Sequence, residues 1–458
     1  MKDSSSVTSL GSLRVLLTVL AAAALALCVA AHTKGCNGPY YWYWPWRSIS
    51  PWRLFPAMVL ASLPFWVAQY AYHRQNQGVA GALLLLAVST LLLELVAIGM
   101  QSDPFNLARI WQIIIHPQTT GYFNDALNLY RRDDLLQAYP SLLPHFHLHS
   151  HNKPPGLILF YIKAIQWFGP DATAALAGGL LIGVLAALAG PAVYLCFRAF
   201  GASRDAAFCG AGCMTLSAGL VLLFPEFDQI YPLLTCGLLG TWVLALHRDN
   251  LLYALTCGVF LSLATFMAYN LLVLGLFMAG YFIYRAQQDR SRRSLLKLAG
   301  HAGLVLLTVA GFYLVLWWSA GYDPLATFAA AHRNEKIILQ ALNRPYLQSI
   351  FYNLLDYALG MNWIVLIPAL CFMAGKIGKA RDEEFVLVLL CLAQVLVVSV
   401  LGLFRGETAR LWLFMYPLLL FPAALELATW SLPARSLFFA FMLLLLIIIC
   451  QNLLFINI

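Results

Sequence analysis

The sequence predicts an all-α, polytopic membrane protein of about thirteen transmembrane helices with one large outer loop that carries interfacial helices. Three observations predict it. Hydrophobic residues fill 61% of 458 positions and charged residues only 10%, too little polarity for the several soluble domains that such a length would otherwise imply. Apolar stretches approaching the roughly 20 residues that cross a bilayer recur from Val15 to the C-terminal end. The polar breaks between them are too short for soluble domains, so the chain reads as a single membrane unit over 1–458, with 101–168 as its outer loop.

In order along the chain, the first apolar segment, 15–31, follows Lys2 and Arg14 and ends in Val-Ala-Ala. It reads as a cleaved signal peptide or an uncleaved first helix, the anchor being favoured, and the next loop lies outside in either case. The aromatic run YYWYWPW from Tyr40 to Trp46 reads as an interface belt. Spans follow at 54–72 and 79–100. Glu94 lies inside the second of these; a carboxylate in lipid is expensive, so Glu94 is a candidate sugar or acceptor contact as well as a candidate for packing on a polar neighbour. The stretch 154–168 is short for a span and carries Lys163 near its middle, which makes it a helix at the outer interface. Ten further spans are expected at 172–197, 206–224, 230–246, 251–268, 271–284, 298–320, 350–374, 385–403, 411–428 and 437–456.

The net charge of +8 would suggest nucleic acid in a soluble protein, but here the basic residues sit in short loops between apolar runs. Nucleic acid is excluded as a partner, and membrane lipids take its place. With the spans above, twelve Lys and Arg, Lys379 and Arg381 among them, fall in loops assigned inside. Five fall in outer loops after Lys163 (Arg333, Lys336, Arg344, Arg405 and Arg410), as the positive-inside rule requires. Of the ten cysteines, eight lie in or beside apolar segments without the spacing of a disulfide framework or a zinc site, and read as small core residues.

The same topology collects the unusual polar residues outside. In the large loop, 104–115 has the periodicity of an amphipathic surface helix, and 122–139 that of a second, with Arg131, Arg132, Asp133 and Asp134 forming a charged turn. There follows HFHLHSHNKPPG, from His145 to Gly156. Lys153 and His151, held beside a rigid Pro-Pro corner just outside the bilayer, suit a lipid-linked phosphate. His145, His147, His149 and His151 alternate, which in an extended chain places all four on one face as a candidate divalent-metal site; a solvated loop with one or two phosphate-binding histidines asks for less. Glu226, Asp228 and Tyr231 in PEFDQIY, and His332 and Arg333 in the loop 323–346, are candidates for the sugar or acceptor. In RGETARLW, Arg405 and Arg410 are candidate phosphate ligands, against simple snorkelling at the interface.

On these residues the chain resembles the C-type integral-membrane glycosyltransferases (GT-C fold), especially the branch of the protein mannosyltransferases and the lipid A aminoarabinose transferase. Lys153, Pro154, Pro155 and Gly156 match the family's closing motif, and ALNLYRRDDLLQAYP over 126–140 is similar to its loop helix. The resemblance implies transfer of a sugar from a polyprenyl-phosphate donor to a lipid, glycan or protein acceptor on the outer face. The expected location is a bacterial inner membrane with the active site toward the periplasm. It implies a catalytic acid in the outer loop, and Lys153, His151, Arg405 and Arg410 as contacts of the donor phosphate. No cofactor is required, a divalent metal being the secondary possibility. One departure stands out: the family's acid starts the loop helix, and no carboxylate occupies 119–121 here. Asp125 is the first candidate for that role and Asp103 the second. Two rival activities remain, an exporter of lipid-linked saccharides and a polysaccharide polymerase or ligase, together with a non-catalytic member of the family.

Overall fold

The computed structural model describes residues 4–31, 42, 44–74, 78–117, 119, 121–342, 344–376 and 382–454. Tyr40, Tyr41 and Tyr43 of the aromatic run, Thr120 at the expected acid position, and Lys379 and Arg381 of the inner basic loops lie outside the described residues. Among the described residues every regular element is a helix, and one isolated bridge pairs Trp46 with Leu453. Nine of the described helices are long and apolar enough to cross a membrane, ten if Tyr346–Gly360 and Trp363–Lys376, bent by 101° at their break, make one crossing. The remaining expected spans are helical too but shorter or interrupted: Arg204–Thr215 followed by Ala218–Leu222, then Leu251–Met267 and Leu413–Leu427. At the first interruption the Ser217 hydroxyl donates to the Met214 carbonyl, giving the backbone a local alternative to the helical ladder.

The outward faces of these helices are apolar. In Arg292–Ala320 Leu306, Leu307 and Trp318 are 66%, 70% and 84% exposed. At about 25 cal/mol per Å² such surface is costly in water, and hydrocarbon removes the cost. The structure is thus that of a multi-pass membrane protein.

The chain divides into two compact units, one built from Met1–Asn106, Val184–Phe224 and Tyr346–Asn457, the other from Leu107–Gly183 and Pro225–Pro345. In the first, Val79–Gly99 packs against Pro51–Ala61, Leu63–Arg74, Ala189–Ala199 and Arg204–Thr215. Phe197 and Phe200 both meet Phe421 edge-on, with ring centroids 5.0 and 5.2 Å apart. A Cβ on Gly210 would lie 2.3 Å from the Phe197 ring, so only glycine lets these helices approach so closely. Trp42 and Trp44 do not behave as an interface belt. Both are buried, and their indole N–H groups donate to Asn353 and Asp356 at 2.8 and 2.6 Å.

In the second unit the stretch expected to be the outer loop holds three short α-helices before the Pro-Pro corner rather than two: Ala108–Ile115, Tyr122–Leu129 and Leu135–Leu142, the last running into a 3-10 turn at Leu143–His145. The expected 122–139 helix is broken at its charged turn, where Arg132 pairs with Asp134 in solvent instead of continuing the ladder. The expected loop 323–346 is mostly the helix Pro324–Leu342. Its start is set by Asp323, whose carboxylate accepts from the Leu325 and Ala326 N–H groups at 2.9 and 2.8 Å. The helix Gly156–Phe168 follows the corner, and a Cβ at Gly156 would come within 2.4 Å of the Phe266 carbonyl. The glycine of the Lys-Pro-Pro-Gly motif therefore lets this helix dock against the end of Leu251–Met267.

Candidate functional site

Asp125 sits in the first turn of Tyr122–Leu129 and is only 4% exposed. Its Oδ1 lies 2.7 Å from His147 Nδ1, and its Oδ2 accepts from the His147 backbone N–H at 3.2 Å. Gly121, which opens this helix at φ +72°, makes the approach possible: a Cβ there would fall 2.3 Å from His147 Cβ and collide with it. So the residue at the start of the loop helix is a glycine because the histidine needs the room, and the acid stands one turn later.

His147 also organises the motif downstream. Its carbonyl accepts from the Ser150 and His151 N–H groups at 2.9 and 3.0 Å, and the Ser150 carbonyl accepts from Lys153 N–H at 3.0 Å. These turns overturn the extended chain on which the one-face arrangement of His145, His147, His149 and His151 depended. Among the described residues no three His, Cys, Asp or Glu side chains converge as metal ligands would. The Lys153 carbonyl accepts from the Tyr139 hydroxyl at 3.1 Å. Tyr139 is fully buried within electrostatic range of Asp125, and burial holds its phenol well above the usual tyrosine range. Asp125, His147 and Tyr139 are thus joined by hydrogen bonds through the backbone of the turn that carries Lys153.

A second strap fixes the same turn. The His151 carbonyl accepts from Asn334 Nδ2 at 2.6 Å, and Asn152 donates to the Glu335 carboxylate, both partners lying on Pro324–Leu342. Burial pushes the His151 imidazole below the usual histidine range, and its Nε2 has no partner among the described residues. His332 and Arg333 lie on the same helix, exposed, with His332 stacked on Phe328. Glu226, Asp228 and Tyr231 are all buried around the start of Phe227–Arg248. Phe227 meets Phe160 edge-on at 5.1 Å, while Phe123, two residues before Asp125, meets Tyr161 at 5.7 Å. The helix Gly156–Phe168 therefore contacts the PEFDQIY segment and the Asp125 helix alike.

The other predicted residues belong to the first unit. Asp103 forms an ion pair with Arg53 at 2.7 Å, and its side chain is 82% exposed. Glu94 is fully buried, and neither carboxylate oxygen has a partner among the described residues, so packing on a polar neighbour does not account for it. Arg410 is almost buried and pairs with Glu407 at 2.6 Å, whereas Arg405 lies over the Tyr346 ring at 5.2 Å and donates to the Gly402 carbonyl. These arginines are presented by a strained loop: Gly402, Phe404, Gly406 and Glu407 all have positive φ, and the two non-glycine residues each cost about 1–3 kcal/mol. The loop is held by residues that sequence reasoning missed. Asp356 accepts from Trp44 Nε1 at 2.6 Å, Thr408 Oγ1 at 3.1 Å and Ala409 N–H at 2.8 Å. Asn353 accepts through Oδ1 from Trp42 and from Gly406 N–H at 3.0 Å. A signal for them existed: Ser349, Asn353 and Asp356 make a polar stripe at helical spacing in an otherwise apolar segment.

No family model matches the chain, and neither does any curated protein. Among solved structures it is similar to the crystal structure of the Archaeoglobus fulgidus oligosaccharyltransferase complex with Zn and sulfate, at 14% identity and a TM-score of 0.45, over 82% of this chain and 53% of that one. The chain spans about half the length of that protein chain.

Proposed function

We propose that the protein is a glycosyltransferase that moves a sugar from a polyprenyl-phosphate donor to an acceptor hydroxyl on the outer face of the membrane, with Asp125 as the base. One observation carries this reading: a buried carboxylate is locked to the loop of the Lys-Pro-Pro-Gly motif through both its oxygens, by a histidine that is itself a third exposed. The excess of basic residues in the loops assigned inside supports the outer face.

In the step proposed, the acceptor oxygen attacks the anomeric carbon as its bond to the phosphate oxygen breaks through an oxocarbenium-like state. Asp125 takes the acceptor's proton. The bonding pair leaves with the polyprenyl phosphate, whose growing charge Lys153 stabilises. His147 holds the carboxylate in position while its exposed edge leaves the cluster open to water and substrate. Asp103, exposed and paired with Arg53, fits the role less well because solvent already satisfies it.

The test uses full-length protein in vesicles with a polyprenyl-phosphate sugar labelled in the sugar. Labelled acceptor and sugar-free polyprenyl phosphate should appear together. Movement of intact donor between leaflets, with the sugar–phosphate bond unbroken, would identify an exporter instead.

A further inference from the structure

The second unit carries a polar cavity at the opposite end of its helices from the Lys-Pro-Pro-Gly motif. Leu251–Met267 docks at its Met267 end on Gly156, and its other end, about 25 Å away by helical rise, follows the Asp249 turn where the cavity opens. The cavity is about 270 Å³ and lies among the C-terminal ends of Phe227–Arg248 and Tyr269–Gln288 and the start of Arg292–Ala320. His247, Arg285, Arg293, Lys297 and His301 line it, with Asp249 and Asp289. None of these residues takes part in the proposed transfer.

Two features separate this cavity from a plain basic loop. The first is His301, which is only 3% exposed, lines the cavity and has no hydrogen-bond partner for Nε2 among the described residues. Its Nδ1 lies 2.7 Å from the Lys297 carbonyl, which can only accept, so Nδ1 carries a proton and Nε2, which faces Asp249 Oδ1 at 3.7 Å, beyond hydrogen-bond distance, has a hydrogen bond still to make. The second is a set of cations that runs from the exposed Arg293 through the half-buried Arg285 to the buried His301. Arg285 Nη1 lies 3.5 Å from His247 Nδ1, Lys297 pairs with Asp249, and Asp249 itself is held at φ +50°, with Oδ1 3.7 Å from His301 Nε2. Asp249 engages Lys297 and Asp289 accepts from the Ser291 N–H at 2.9 Å, so an incoming anion would meet chiefly the half-buried Arg285, the exposed Arg293 and the buried His301.

We propose that this cavity binds a phosphate oxyanion, either the headgroup of an anionic lipid or a soluble phosphate. Guanidinium groups match phosphate geometry through paired N–H donors. Either source satisfies His301: a protonated Nε2 donates to P–O⁻, and a neutral one accepts from the P–OH of inorganic phosphate or a monoester, or from the glycerol hydroxyl of a phosphatidylglycerol headgroup. Basic pockets between membrane helices commonly take such headgroups. This inference stands whether or not the transferase reading holds.

The experiment is native mass spectrometry of the full-length protein in neutral detergent, titrated with dioleoylphosphatidylglycerol, dioleoylphosphatidylcholine and inorganic phosphate. Phosphatidylglycerol or inorganic phosphate should bind, and Arg285→Gln/Arg293→Gln should raise its apparent Kd by roughly ten-fold or more. Arg293→Gln alone, at an exposed position that leaves the fold intact, should raise it several-fold. Arg290→Gln, an exposed arginine of the same segment that does not line the cavity, should leave it unchanged. Binding of phosphatidylglycerol but not inorganic phosphate assigns a lipid headgroup, and comparable binding of inorganic phosphate assigns a soluble one. The proposal is overturned if neither binds, if the cavity variants bind as well as the parent, or if Arg290→Gln weakens binding as much as they do.

Discussion

Asp125 and Asp356 are both buried aspartates near the ends of helices, and their surroundings give them opposite uses. Asp356 accepts from three donors, an indole, a hydroxyl and a backbone N–H, each itself buried. The indole and the backbone N–H need the carboxylate, while the Thr408 hydroxyl is shared with the Asn353 carbonyl at 2.7 Å, so the group is committed to holding the loop that presents Arg405 and Arg410. Among the described residues the Asp125 carboxylate is hydrogen-bonded by His147 alone, once through the ring and once through the backbone, and that ring is a third exposed. Two bonds leave its oxygens with lone pairs for a further hydrogen bond. Burial alone therefore does not mark a reactive carboxylate; the number of donors and the access of its partner do.

The largest effect that would sharpen this contrast belongs to Asp356. Asp356→Ala strands two buried donors, the Trp44 indole and the Ala409 N–H, at about 1–3 kcal/mol each, so a loss of about 2 kcal/mol or more is expected, read as a lower Tm in detergent, while transfer per folded molecule changes little. Lys153→Ala should leave Tm within a degree or two and reduce transfer by roughly 10², because it removes a cation from the leaving phosphate rather than a packing group. Near-normal turnover would return Lys153 to the role of an interfacial anchor. Gly121→Ala forces a Cβ against His147 and strains a residue at φ +72°; a loss of about 1–3 kcal/mol in either stability or transfer is expected, and none at all would mean that the Asp125–His147 contact does not constrain the loop. Asp103→Asn disturbs an exposed ion pair and should cost under about 0.5 kcal/mol with little change in rate, as a Tm and activity pair would show.

The helical membrane fold was legible because hydrophobic runs report burial in lipid directly, and all thirteen expected spans are helical, nine of them at full crossing length among the described residues. Breaks inside spans were less legible: the bend between Gly360 and Trp363, with Asn362 at φ +75°, depends on tertiary partners such as the Met442 carbonyl that accepts from Asn362. In the outer loop, the Lys-Pro-Pro-Gly corner and Asp125 could be picked out by residue type, but not what joins them. His147 was visible only as one of four alternating histidines, because nothing in a linear pattern shows that the chain turns at His147 or that Gly121 leaves room for its ring. Trp42 and Trp44 misled for a related reason, since an aromatic run looks the same whether it faces headgroups or buried carboxamide and carboxylate oxygens.

The central claim is that Asp125, and not Asp103, is the base. Single-turnover transfer with bound labelled donor, compared for Asp125→Asn and Asp103→Asn, tests it most directly. Asparagine keeps the size of aspartate and can still contact His147 but cannot take the acceptor's proton. Asp125→Asn should bind donor as the parent does and lose roughly 10² to 10⁴ in rate, while Asp103→Asn stays near the parent. The reverse pattern, Asp103→Asn inactive and Asp125→Asn active, or normal transfer by both, would contradict the account.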